Sequence, residues 1–177
     1  KNRMGICIFP QDSWYFDDLI TMQSVGAMTG TDNLEADITR AEFVHMLYEY
    51  YNPSGGTGKL TFTDVSNDYP FAPAIKWAMK TGIIRGITDK MFAPDKKITR
   101  LEMIVILARF NEERENLLTA TEPEHHLADC EKIPEWGKSA VHWAVANGII
   151  YGNNGRVLPD DYVKVTEAVA MISRLGN

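Results

Sequence analysis

The chain has 177 residues, 45% of them hydrophobic and 24% charged, a balance that lets it bury a full core and argues against intrinsic disorder. Its formal net charge of −6 repels rather than gathers a polyanion, which argues against nucleic acid or an anionic membrane surface as partner. No apolar run approaches the roughly 20 residues of a bilayer-crossing helix, so no membrane insertion is expected.

No charged-then-apolar leader precedes the first element, and the start at Lys1 rather than Met predicts a processed or excised piece of a longer protein. Cys7 and Cys130 stand far apart in dissimilar contexts. That excludes a disulfide framework of the small secreted kind and leaves their pairing open. The first clear landmarks are Gly26-Ala27-Met28-Thr29-Gly30, then Ile38-Thr39-Arg40-Ala41-Glu42 leading into the apolar run Phe43 to Leu47. Asn52-Pro53-Ser54-Gly55-Gly56-Thr57-Gly58 sustains neither helix nor strand and reads as a linker.

Thr63-Asp64-Val65 opens the next segment. Ile75, Ala78 and Met79 at i, i+3 and i+4 predict a short amphipathic helix over residues 74–81, stopped by Gly82. Residues 87–95, rich in Asp and ending Ala-Pro-Asp, predict a small hairpin or irregular prong. A second helix starting at Thr99 carries Leu101, Met103, Ile104, Val105, Ile106, Leu107 and Ala108. Apolar on nearly every side, it belongs in the centre of a bundle. Residues 111–118 extend it, and an acidic spacer, Thr119-Ala120-Thr121-Glu122-Pro123, ends it.

About 65 residues downstream the same order returns: Ala128-Asp129-Cys130, Ala140-Val141-His142-Trp143-Ala144, Gly148-Ile149-Ile150-Tyr151-Gly152, Leu158-Pro159-Asp160, and Val163 through Glu167. Three repeats follow, with boundaries at 1–56, 57–121 and 122–177. The expected fold is mainly α: three helix-loop-helix repeats in a pseudo-threefold arrangement around a central helical bundle, with short hairpins or irregular prongs. One repeat cannot bury its own central helix, so the three are expected to meet.

The segments 38–42 and 98–102 carry the sharpest local chemistry. Thr followed three residues later by Glu, ahead of an apolar run, is a capping box, which explains Thr39, Glu42, Thr99 and Glu102 by stability alone. It does not explain Arg40 and Arg100, cations placed at the positive end of a helix dipole. Two readings stay open: an anion-binding spot formed with free backbone amides, or ion pairs across neighbouring repeats.

The order Asp-Val, Gly-Ile-Ile-x-Gly, Phe-x-Pro-Asp and Ile-Thr-Arg-x-Glu resembles the S-layer homology family, which occurs as three tandem copies in bacterial cell-surface proteins. The likeness is strongest in the second repeat, recognisable in the third, and clear in the first mainly from Gly26 onward. It implies three copies closing around a central bundle. It also implies grooves between repeats that bind secondary cell wall polymers, often bearing a pyruvate ketal, and so hold a larger surface protein to peptidoglycan. By position it implies carbohydrate contacts at Arg40 and Arg100, with Glu42 and Glu102 orienting the helix start. A guanidinium fork suits a planar carboxylate. Asp64 and Asp129 match an early Asp, as acceptors for sugar hydroxyls or as turn caps. Trp14 and Trp136 fall just ahead of first helices, with Tyr69 and Phe71 near the corresponding place. Each is either a platform for a sugar face or half-buried packing. Trp77 and Trp143 are expected in the core.

Two departures stand out. In the third repeat Lys164, Val165, Thr166 and Glu167 occupy the Thr-Arg-x-Glu positions, so the Arg is missing and Lys164 is a substitute cation without the fork. A weakened or empty third groove is expected. The first repeat lacks the opening Asp, since Ile6-Cys7-Ile8-Phe9-Pro10 offers none.

No catalytic constellation is present. His125 and His126 near Asp129 and Cys130 match no strong zinc spacing, and nucleophile-elbow, phosphate-loop and zincin motifs are absent from the sequence. His45 and His142 read as structural. The expectation is a non-enzymatic module without cofactors, extracellular at a bacterial surface, whose partner is cell wall polysaccharide. The alternative is a degenerate scaffold for protein interaction or assembly.

Overall fold

Capping threonines start two, and left-handed glycines follow three, of the six α-helices found among the described residues. The computed structural model describes residues 14–28, 33–53, 58–114 and 127–175. Cys7, His125, His126, the spacer 119–123 and the first repeat's opening segment lie outside them.

The helices are α1 (Phe16–Ser24), α2 (Arg40–Tyr51), α3 (Ala72–Lys80), α4 (Arg100–Glu113), α5 (Glu135–Ala146) and α6 (Val165–Arg174), with a 3₁₀ turn at Cys130–Lys132. The helix expected at 74–81 begins at Ala72 instead, because Pro73 is accommodated in a first turn whose amides need no helical partner. Gly26, Gly82 and Gly148 follow α1, α3 and α5 at φ of +76°, +77° and +65°, a conformation that stops a helix at little cost only for glycine.

Among the described residues no strand forms, and pairing is confined to isolated bridges. The expected prong of the second repeat is the irregular alternative. Ile87 N donates to Met91 O at 2.8 Å and Thr63 N to Lys90 O at 2.8 Å. The third repeat makes a tighter turn, Asn153 bridged to Arg156.

Each second helix packs on the first helix of another repeat. α2 lies on α3, α4 on α5, and α6 returns to α1. α4 and α5 approach closely: a Cβ on Gly137 would stand 2.7 Å from Leu101 Cδ1. Trp77 of α3 meets Tyr48 of α2 edge-on at 5.5 Å and Phe110 of α4 at 6.2 Å, so an aromatic cluster joins two repeats. Trp77 and Trp143 are buried, as expected. α4 buries Leu101 and the whole run Met103 to Ala108, which matches its apolar circumference. No helix among the described residues is long and apolar enough to cross a membrane.

The second helices are tied at their N-terminal ends. Thr39 bridges to Lys97, Thr99 to Tyr162, and Asp37 to Lys164. The first two amides of every second helix donate to carbonyls of the next repeat's prong. Arg40 N reaches Lys96 O and Ala41 N reaches Pro94 O; Arg100 N reaches Asp161 O and Leu101 N reaches Pro159 O; Val165 N reaches Ala36 O and Thr166 N reaches Leu34 O. Helix-end donors that would need water are thereby spent on joining repeats.

Candidate functional site

Both expected capping boxes form. Glu42 N donates to Thr39 Oγ1 at 3.2 Å and Thr39 N to Glu42 Oε2 at 2.7 Å. The Thr99 and Glu102 pair repeats this at 3.3 and 3.1 Å. With the first three amides of α2 and α4 all bonded, the idea of an anion held by free helix amides is corrected. Whatever anion affinity these ends have must come from side chains.

Those side chains begin with two aspartates. Asp64 accepts from Phe92 N at 2.9 Å and Ala93 N at 2.7 Å. Asp129 accepts from Val157 N at 2.7 Å and Leu158 N at 2.8 Å. Ala93 and Leu158 sit at φ of +58° and +55°, a strained conformation for residues with a Cβ, and the carboxylate bridging two successive amides holds each one there. Burial pushes the Asp129 carboxyl up, but its amide donors more than offset that, leaving its pKa below the ordinary aspartate value. Both aspartates therefore act as turn clamps.

The clamped prongs present the carbonyls that the arginines use. Arg40, only 5% exposed, donates Nε to Phe92 O at 3.0 Å and Nη2 to Arg85 O at 3.2 Å, and lies over the Phe92 ring at 4.9 Å. Its Nη1 is 3.5 Å from Glu102 Oε1. Arg100, also 5% exposed, donates Nε to Val157 O at 2.7 Å and Nη1 to Glu167 Oε1 at 2.5 Å. The ion-pair reading of these arginines is thus realised: each reaches from its own helix start to the capping glutamate of the next repeat. Burial pulls the Arg40 guanidinium below its ordinary value, and the carboxylates of Glu102 and Asp64 oppose that pull. Burial raises the Glu102 carboxyl, but hydrogen bonds from Lys96 and the Thr99 amide, with the charge of Arg40, leave it below the usual glutamate value.

Beside these junctions lie open grooves. The first, about 390 Å³, is lined by Arg40, Arg85, Glu102, Arg109, the apolar floor Val105 and Ile106, and Trp136. The second, about 380 Å³, is lined by Arg100, Glu167, Tyr151, Asn153, Arg174 and Trp14. Trp14 and Trp136 are 62% and 60% exposed, so neither is the half-buried packing residue that sequence left open. Each comes from the repeat that does not form the junction. Trp136 arrives because α5 packs on α4, and Trp14 because α1 packs on α6. A third cavity, about 410 Å³, is lined by Glu42, Asp37, His45, Phe71, Lys97 and Val165.

Lys164 does not take the missing arginine's place in that third cavity. It is the N-cap of α6, one residue ahead of the arginine position, and its Nζ donates to Glu35 O at 2.8 Å. It faces a neighbouring cavity with Trp14 and Arg100, since its backbone is extended, at φ −80° and ψ 155°, and lies ahead of the first helical turn. Glu42 is exposed and faces Val165 across the third cavity, where its counterparts Glu102 and Glu167 meet an arginine. His45 stacks on Phe71 at 4.5 Å and burial lowers its pKa, with Glu49 acting the other way. Tyr69 gives its hydroxyl to Asp95 at 3.0 Å. Burial and that acceptor push its pKa to about 12.

Residues 61–104 and 128–164 match the S-layer homology domain; they contain the start of α4 with Arg100 and the carbonyls of Arg85, Phe92 and Val157 that accept from Arg40 and Arg100. The chain carries S-layer homology repeats. Among known proteins it is 32% identical over 145 residues to a cellulosome-anchoring protein of Acetivibrio thermocellus, covering 79% of this chain and 32% of that one. It is 32% identical over 171 residues to exoglucanase XynX of the same organism, covering 92% of this chain and 15% of that one. It is 36% identical over 102 residues to a surface-layer 125 kDa protein of Lysinibacillus sphaericus, covering 56% of this chain and 8% of that one. The S-layer homology repeats here thus span a third or less of these relatives.

Sequence reasoning did not single out Arg85, Arg109, Tyr151 or Arg174 as groove residues. A signal was present. Arg85 and Tyr151 occupy the variable place of Gly-Ile-Ile-x-Gly, and Arg109 and Arg174 each lie seven residues after the capping Glu of their helix.

Proposed function

We propose that these S-layer homology repeats form a non-catalytic anchoring module that holds a larger protein at a bacterial cell surface by binding an acidic, pyruvylated wall polymer in the grooves between repeats. One observation carries the reading. At two junctions a fixed guanidinium, an exposed tryptophan and an open groove come together, which is the set of contacts a carboxylate-bearing sugar uses: charge for the acid, a flat ring for the sugar face. The relatives, a cellulosome-anchoring protein and a surface-layer protein, fit the same role. Glycan-degrading enzymes among the relatives are far longer than this chain, so their catalysis has room elsewhere.

The spending of Arg40 and Arg100 donors on protein carbonyls and carboxylates favours the second reading, a scaffold for protein assembly. Co-sedimentation with cell-wall sacculi, before and after acid extraction of their secondary polymer, separates the two. Trp14→Ala and Trp136→Ala are the informative variants, since both side chains are exposed and their loss leaves the core intact. The anchor reading expects retention that disappears with the polymer and weakens in both variants. Retention indifferent to the polymer, or none by the folded chain, supports the scaffold.

A further inference from the structure

The first and second grooves share a plan but differ in one pairing. In the second, Arg174 lies over the Tyr151 ring at 5.1 Å and donates Nη1 to Ile149 O at 3.0 Å. That cation is satisfied by a ring face and a carbonyl. In the first groove Arg109 takes the place of Arg174, and the place of Tyr151 is taken by a second cation, Arg85. Among the described residues neither Arg85 nor Arg109 has a carboxylate within 4.0 Å; the ion pairs belong to other side chains.

We propose that the first groove is a two-anion site, in which Arg85 and Arg109 form a second anion subsite beside Arg40 and select a glycan segment carrying two negatively charged groups, while the second groove takes one. This rests on the reading that the grooves hold wall polymer.

Two like charges facing one groove weaken the fold rather than support it. Burial and the charge of Arg85 both pull the Arg109 guanidinium below its ordinary value, with Glu112 acting the other way. A bound anion relieves that repulsion. The Arg85 backbone is held from behind, because its carbonyl accepts from Arg40 Nη2 at 3.2 Å, and Arg109 is carried by α4. Gly86 lets the chain turn there: a Cβ on it would stand 2.1 Å from Thr88 O. Trp136, which lines the same groove, offers a ring for the sugar that joins the two acidic groups. Planar forks suit carboxylate and phosphate oxygens equally. The shared chemistry is therefore an oxyanion.

The test is calorimetric titration of the full chain with two synthetic disaccharides. Both carry one pyruvate ketal, and one also carries a uronic acid carboxylate on the adjoining sugar. The wild type is expected to prefer the doubly charged probe by about tenfold. Arg85→Tyr, which gives the first groove the residue of the second, and Arg109→Ala should each bring that ratio to within about twofold. Tyr151→Arg should enlarge it, an outcome that a merely structural role for the position would not produce. Thermal unfolding of each variant establishes that it is folded. A ratio unchanged by Arg85→Tyr and Arg109→Ala, with both probes bound, overturns the two-anion site and leaves the polymer reading standing. Binding of neither probe by the folded wild type overturns both.

Discussion

The junction between the first and second repeats and the one that closes the third onto the first are built on the same backbone. At each, the first two amides of a second helix donate to carbonyls of the next prong. They part at the side chain that follows. Arg40 enters the first junction and binds Phe92 O, Arg85 O and Glu102, whereas Val165 enters the last and leaves Glu42 exposed. The ties at the helix starts are therefore main-chain bonds that do not depend on the arginine. The charged site is an addition that one residue can remove without dissolving the arrangement, which is why the third cavity keeps its volume while losing its guanidinium.

The strongest way to break the contrast is to remove a clamp beneath an arginine. Asp129→Ala orphans the amides of Val157 and Leu158 and should cost about 3 kcal/mol, read as a lower urea midpoint at unchanged m-value. The arginine comes next. Arg40→Leu should cost about 2 kcal/mol by leaving two carbonyls unpaired, while Val165→Leu at the matching position should change stability by less than about 0.5 kcal/mol. Equal costs at the two sites would mean the arginine is no part of the junction.

Acid offers a third lever. Glu102 has a folded pKa depressed below the ordinary 4.5, so its contribution is fully present above that value and is lost as pH falls through the depressed one. Glu102→Gln should flatten the decline of the melting temperature below about pH 4.5, leaving the slope that Asp129 and others impose. A decline of the same steepness would exclude Glu102 as its source. The smallest effect sharpens the comparison. Val165→Arg places a guanidinium opposite Glu42 and should gain about 0.5 kcal/mol, within the range of a partly exposed ion pair. A double-mutant cycle with Glu42→Gln would measure that coupling directly.

Much of this was legible in residue order. Thr39, Glu42, Thr99 and Glu102 announced their capping boxes because a cap is made within four residues. Gly82 marked a helix end because positive φ is a local property of one residue. The buried circumference of α4 followed from its composition. Less was legible about the side chains around the grooves. Asp64 and Asp129 could be sugar acceptors or turn clamps until the amides some 28 residues away were seen to fold onto them. Lys164 looked like a replacement for the missing arginine, but its extended N-cap backbone leaves it facing a different cavity.

What sequence alone determined is the repeat itself: its helices, its caps and its membership among S-layer homology domains, all of which depend on contacts between near neighbours in the chain. What only the tertiary structure decided is the composition of each groove. Trp136 serves the junction of the first two repeats and Trp14 the junction of the last two, because second helices pack on first helices of other repeats. That choice of partner is made by burying apolar faces between repeats, and no residue spacing within one repeat encodes it.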